Sequence, residues 1–400
     1  MKEIANFKER IKHCAANFKN SRCKEVVLIH HNDTDGLSAG TILLAALERE
    51  KITVRRYALE KPYPMVLERL FCEDGVSAQN WFMLTDFASG MLPEISRINA
   101  KRHNVLVLDH HTVSPVKDEK IHLLNGLEFG LTSKHFSSSS ACFEFALALN
   151  GWNCDLAWLG ALGALGDGFF EEGKLAGLNA EVWERVTADG QGRFDGEYIF
   201  RVNLELKAAR LIECIDALGS IGYLRGGPDI AVKGLRDGPD EILLSLADDF
   251  TAERDEKFNQ FLTSMKLEQT PNIQWFDLKD SFHPMGVKTV GLLCAEVAKR
   301  QGISEHKYIA GFQHIAPSIP GLGDFPFKQS KISMRAPPML RNKIECGMAR
   351  ALSDLLPQAA REVDGFVDAC HPSAAAAAVL IGQERELIAA MERILATASA

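Results

Sequence analysis

Four short clusters of carboxylates and imidazoles are the parts of this sequence able to do chemistry. They are His31-Asn32-Asp33-Thr34-Asp35-Gly36, Asp86, Asp109-His110-His111 and Asp167. None contains a cysteine, and a set of oxygen and imidazole donors favours manganese or magnesium, with zinc or iron as alternatives. Carboxylates crowded together raise one another's pKa unless cations neutralise them. Two divalent ions roughly 3.5–4 Å apart, bridged by one Asp, would do so and would clamp the attacking and leaving oxygens of a phosphoryl group. One such ion would also bring the pKa of a bound water down toward neutrality. Each cluster alone has a plainer role. D-x-D-G is commonly a turn or helix cap, and Asp86 could cap the helix after it.

The elements around the clusters argue that they meet. Residues 25–30 (EVVLIH), 52–59, 81–85 (WFMLT) and 105–108 are short apolar runs that read as strands. Between them, 36–48, 65–71 and 93–102 carry helical patterns. That alternation predicts an α/β fold whose N-terminal domain is a parallel sheet with helices on both faces. In such a sheet the carboxyl ends of the strands converge on one crevice. The first three clusters follow strands, and Asp167 ends the apolar helical run 156–165. Residues 136–149 also read as a helix, with 137–140 a polar start whose hydroxyls could line a channel.

Further along, 204–218 and 241–269 carry mixed charge at helical spacing, and Gly226-Gly227-Pro228 and Asp237-Gly238-Pro239 read as turns. Strands are expected at 287–293, 308–312 and 331–334, and helices at 344–356 and 384–395. Pro317 to Phe327 is expected to be a loop. The resulting division is a catalytic domain at 1–200, a helical linker at 201–270 and a smaller α/β domain at 271–400. The aromatics are dispersed in order, with no stacking platform visible.

A net charge of −8 and a pI near 5.9 argue against a protein that coats nucleic acid by bulk electrostatics. No run of about 18 apolar residues suggests a membrane span, and the charged N-terminal stretch lacks a signal peptide's apolar centre. The 9 cysteines are scattered without a C-x-x-C pair, so reduced cytoplasmic thiols are expected rather than a zinc or disulfide framework.

HNDTDG, the isolated Asp86, VLDHH and GALGD resemble, in order, the four motifs of the DHH phosphoesterase superfamily. The direct H-x-D-x-D-G spacing is similar to the RecJ-like and archaeal single-strand nuclease branch. The resemblance implies that His31, Asp33 and Asp86 hold one metal ion, and Asp35, Asp86, His110 and Asp167 a second. Manganese or magnesium is implied as the ion. His111 would contact the scissile phosphate, with Asp109 orienting or ligating. His30 competes with His31, because a slip of one residue in a strand exchanges the faces; the motif register favours His31.

The C-terminal region resembles the DHH-associated substrate-binding domain. Ser333-Met334-Arg335 matches its Ser/Arg motif, and Arg335 suits bidentate phosphate contact. Ala369-Cys370-His371-Pro372-Ser373-Ala374-Ala375-Ala376 lies in frame with its second motif, with that motif's three glycines replaced. The implied activity is a metal-dependent phosphodiesterase acting on single-stranded nucleic acid or oligonucleotides from an end. A small-nucleotide phosphoesterase and a non-catalytic, replication-associated binding protein are the alternatives.

Overall fold

The computed structural model describes residues 2–73 and 80–397. The chain divides into two units, Met1–Phe250 and Thr251–Ala400. The boundary falls inside the long helix Glu241–Ser264.

In the first unit, strands β1 (Glu25–His31), β2 (Thr53–Leu59), β3 (Trp81–Thr85), β4 (Asn104–Leu108) and β5 (Ile121–Leu124) form a parallel sheet in the order β2-β1-β3-β4-β5. Every residue of β3 and the interior of β1 are buried, so both faces of the sheet centre are covered. The helices that position the site are α1 (Lys2–Asn20), α2 (Thr34–Arg49), α3 (Pro64–Cys72), α4 (Leu92–Ile98), α5 (Ser138–Leu149) and α6 (Ala157–Gly166). α2, α5 and α6 pack against one another, and α6 is buried along almost its whole length, as its unbroken apolar sequence requires. From β1 the chain moves outward to β2 and then back past β1 to β3. This reversal of winding opens a crevice at the strand ends.

In the second unit a six-stranded mixed sheet runs Glu268–Gln269, Ile273–Asp277, Tyr308–His314, Gln329–Arg335, Ala374–Leu380, Phe366–His371 in spatial order. The alanine run is a strand of this sheet, with Ala375 and Ala377 in its core.

Several local expectations change. Residues 287–293 form not a strand but a turn at 287–288 followed by the start of helix Thr289–Val297. A short apolar run with two valines and a threonine does not distinguish the two states by periodicity. The 204–218 segment begins as strand Leu204–Lys207, paired with Tyr198–Val202, before helix Ala208–Asp216. Gly226-Gly227-Pro228 starts a helix instead of a turn. Gly226 takes a left-handed φ of 77°, and Pro228 sits in the first turn of helix Gly227–Asp237, where its missing N–H costs nothing. The helix expected over 344–356 is two helices, Pro338–Glu345 and Leu352–Glu362, interrupted where Gly347 adopts a φ of 70°. All nine cysteines are free thiols, and among the described residues no helix is long and apolar enough to cross a membrane.

Candidate metal centre

His31 ends β1, and Asp33 caps α2, its carboxylate accepting from the Gly36 amide at 3.2 Å. Asp35 lies in the first turn of α2 and is fully buried. Asp86 follows β3 in the left-handed region, at φ 68°, with its amide donating to the Leu108 carbonyl of β4 at 3.0 Å. Asp is among the few side chains that tolerate this conformation outside glycine. Asp109-His110-His111 follows β4, and Asp167 sits at the C-terminal end of α6.

The fold brings these side chains into three overlapping groups, in each of which the donor atoms lie within 4.8 Å of one another. His31, Asp33 and Asp86 make the first, with His31 Nδ1 2.7 Å from Asp33 Oδ2 and 3.2 Å from Asp86 Oδ2. Asp35, Asp86, His110 and Asp167 make the second. Here His110 Nδ1 stands 3.4 Å from Asp35, 3.6 Å from Asp86 and 3.5 Å from Asp167. Asp86, Asp109, His110 and His111 make the third. The two oxygens of Asp86 face different groups, Oδ2 toward His31 and Oδ1 toward His110.

His30, the competitor of His31, is fully buried away from these groups. Its Nδ1 lies 2.6 Å from the His31 carbonyl and its Nε2 2.8 Å from Arg56, which also pairs with Asp229. Burial and the Arg56 charge push its pKa down to about 3, so the ring is neutral. With Arg56 donating to Nε2, Nδ1 carries the proton and donates to the His31 carbonyl.

The electrostatics suit a cation. Burial, then the charges of Asp33, Asp35 and Asp167, hold the Asp86 carboxyl well above its ordinary range. Burial also opposes ionisation of Asp35, but His110 and the Ser139 hydrogen bonds outweigh it and its pKa falls. For Asp109, burial is likewise overcome, by His111, His110 and the Ser89 amide, and its pKa is lowered. Its Oδ1 lies 2.7 Å from His111 Nδ1, and its Oδ2 accepts from the Ser89 amide at 2.8 Å. His111 gains more from Asp109 than burial takes away, and its pKa rises to about 9. A donor set of hard oxygens and imidazoles, with a buried carboxylate destabilised by its acidic neighbours, fits two divalent ions.

Several supporting residues carry no motif. The amides of Ser138 and Ser139, at the N-terminus of α5, donate to the two oxygens of Asp35 at 2.8 and 3.0 Å, the anion-binding use of a helix start. The Ser138 hydroxyl donates to Asp86 Oδ1 at 3.0 Å. Only the run 137–140 hinted at this, and Ser137 is in fact the cap of α5. Thr34 donates through its amide and hydroxyl to Asp216, 2.9 and 2.8 Å away, anchoring the first motif to helix Ala208–Asp216. Phe169 packs edge-on against His110, with ring centroids 4.9 Å apart.

In the second unit Ser333 and Arg335 share one strand, with Arg335 Nη1 3.2 Å from Ser333 Oγ. The register pairs Arg335 with Ala374 and Ala374 with His371, so Arg335 and His371 lie in one row on one face of the sheet. The carbonyls of Pro372 and Ser373, in the glycine-free loop, accept from Leu352 and Ala336 amides at 2.8 and 2.9 Å.

No family model matches the chain. An uncharacterized protein of Methanocaldococcus jannaschii is 34% identical over 157 residues, 38% of this chain and 34% of that protein. The chain thus matches about a third of the length of this curated relative. Among solved structures, RecJ of Thermus thermophilus in complex with Mn2+ superposes with a TM-score of 0.65 at 14% identity, over 97% of this chain and 55% of that one. A DHH domain described as a member of the s1p family of ribosomal proteins gives 0.64 at 17% identity, covering 98% and 92%. CDC45 from Entamoeba histolytica gives 0.56 at 10% identity, covering 98% and 99%. The fold is that of the DHH proteins, RecJ-like over nearly the whole chain.

Proposed function

We propose that this DHH-fold chain is a divalent-metal-dependent phosphodiesterase that hydrolyses single-stranded nucleic acid or short oligonucleotides from an end. The carrying observation is Asp86, whose buried carboxylate is shared between the His31–Asp33 group and the Asp35–His110–Asp167 group. When bound there, two metal ions, manganese or magnesium, supply a water acidic enough to attack phosphorus and neutralise charge on the phosphoryl oxygens.

In this reading His31, Asp33 and Asp86 hold one ion, and Asp35, Asp86, His110 and Asp167 the other. The Ser138 and Ser139 amides keep Asp35 ionised and aimed, and the Ser138 hydroxyl fixes one oxygen of Asp86. Asp109 keeps His111 protonated, so the imidazolium offers positive charge to the scissile phosphate. In the second unit Ser333, Arg335 and His371 contact the phosphodiester. Arg335 supports this role because burial opposes its charge and, among the described residues, no carboxylate pairs with it.

Asp33→Ala or His110→Ala is expected to abolish manganese-dependent release of mononucleotides from labelled single strands. Full activity in either variant would overturn the metal assignment. The net charge of −8 favours a second reading, a phosphoesterase of dinucleotides, cyclic dinucleotides or 3′-phosphorylated nucleotides. A substrate length series separates the two. Rates that climb with length support the nuclease, and a maximum at the dinucleotide supports the small-molecule enzyme.

A further inference from the structure

Aromatic rings gather in the first unit on two short hairpins, the first of which follows Asp167 of the metal centre. Phe169, two residues after Asp167, packs on His110, and the next residue carries a second ring, Phe170, whose centroid is 6.1 Å from Tyr198. Tyr198 in turn meets Phe194 at 4.9 Å. Two small antiparallel elements build this surface. Phe170–Glu171 pairs with Lys174–Leu175, and Gly192–Phe194 pairs with Tyr198–Val202. They are joined where the Leu175 amide donates to the Tyr198 hydroxyl at 2.8 Å.

From below, Trp183 supports Tyr198 edge-on at 4.8 Å and is itself 9% exposed. The upper rings are not buried. Phe194 is 46% exposed, and Phe170 and Tyr198 are half-buried. A structural core would have no reason to leave a phenylalanine so open at a hairpin tip. With its hydroxyl engaged, Tyr198 offers its ring rather than a hydrogen-bonding end.

The neighbouring charges narrow the occupant. Arg193 is held by Asp195 and Glu205 at 2.8 and 2.9 Å, and Lys207 by Glu197 at 2.7 Å. Arg201 is likewise held by Glu205, at 2.7 Å, His135 Nε2 lies 3.6 Å from Glu171, and Glu171, Glu172 and Lys174 are exposed. The surface therefore has little positive charge for a phosphate backbone, and what it can contribute is stacking. Each nucleobase has a π-face, so rings of this kind hold bases with little regard to sequence.

We propose that Phe170, Tyr198 and Phe194 form a stacking surface for the bases of a single-stranded nucleic acid next to the metal centre. This rests on the phosphodiesterase reading above and specifies its substrate as base-bearing strands.

The test is fluorescence anisotropy of a labelled short deoxyadenylate oligomer, with an abasic oligomer of equal length as control. EDTA is present so that no hydrolysis occurs. Phe170→Leu and Phe194→Leu keep apolar bulk and remove the ring. Each should weaken binding of deoxyadenylate about tenfold, within the range measured for loss of one base–aromatic stack. Neither should change binding of the abasic oligomer, and Phe170→Trp should retain tight binding. Three results would each overturn the proposal: unchanged affinity in the leucine variants, equal affinity for the two oligomers, or binding of neither. A separate manganese assay on the abasic strand keeps the outcomes apart. Cleavage there alongside unchanged binding in the variants removes the stacking surface and leaves the hydrolase standing. Ring-dependent binding without cleavage of either strand under any divalent ion removes the hydrolase and leaves a base-binding surface.

Discussion

At the scale of single residues, Asp109 and His111 illustrate how little of the site's electrostatics lies in residue type. Asp109 is buried yet ionised, because His111, His110 and the Ser89 amide stabilise the anion. Asp109 in turn holds His111 at a pKa near 9. A histidine raised by a partner adds stability that is complete below its ordinary value of about 6.5 and is lost as pH climbs through the raised value. For the metal-free protein, His111 is therefore expected to stay protonated through neutrality and to titrate near pH 9 by NMR. The melting temperature should fall as pH rises through that step. Asp109→Asn should return the His111 titration toward neutral pH, and an unperturbed His111 in the parent would contradict the assignment. The residue types of the centre were readable in the sequence. The choice between His30 and His31 was not settled by the strand pattern alone, since adjacent strand residues differ only in which face they take.

At the scale of elements, α2, α5 and α6 approach so closely that small residues decide where carboxylates can sit. A Cβ placed on Gly163 of α6 would collide with the Ser139 hydroxyl and with Asp35 Oδ1. Gly163→Ala should displace the Asp35 carboxylate from the α5 amides. Manganese affinity measured by calorimetry is expected to drop about 10–100-fold, the usual cost of disturbing groups that orient a metal ligand. Gly168→Ala, where an added Cβ meets nothing within 4 Å but φ is 66°, should cost stability through backbone strain while sparing metal affinity. Equal losses of affinity in the two would count against a packing role for Gly163. Helix and strand boundaries around the centre were legible because periodicity is local. The 287–293 and 204–207 segments were not, since short apolar or mixed runs take the state that their neighbours in space impose.

At the scale of the whole molecule, a net charge of −8 limits how many phosphates the protein can neutralise. If Arg335 and His111 are each a cationic contact to the substrate, as proposed above, one or two phosphates would be engaged. The slope of log K against log salt for a single strand should then lie at about −0.7 to −1.4. Binding isotherms across a salt series measure it, and a slope several times steeper would mean a basic surface outside the contacts named above. A shallow slope would also separate this chain from proteins that hold nucleic acid mainly through its backbone charge.

From the sequence alone came the donor types, their likeness to the DHH motifs and their placement at the ends of apolar segments. Strand alternation and motif spacing are properties of neighbours along the chain, and parallel-sheet topology then makes strand ends converge. Tertiary structure alone decided which oxygen of Asp86 faces which histidine, that Ser138 and Ser139 present their amides to Asp35, and that Phe170, Tyr198 and Phe194 share one surface. Apart from Phe194 and Tyr198, which face each other across one hairpin, these contacts join residues tens of positions apart. No local period encodes such a meeting, which is fixed by how helices pack on the sheet and how two short hairpins are tied together.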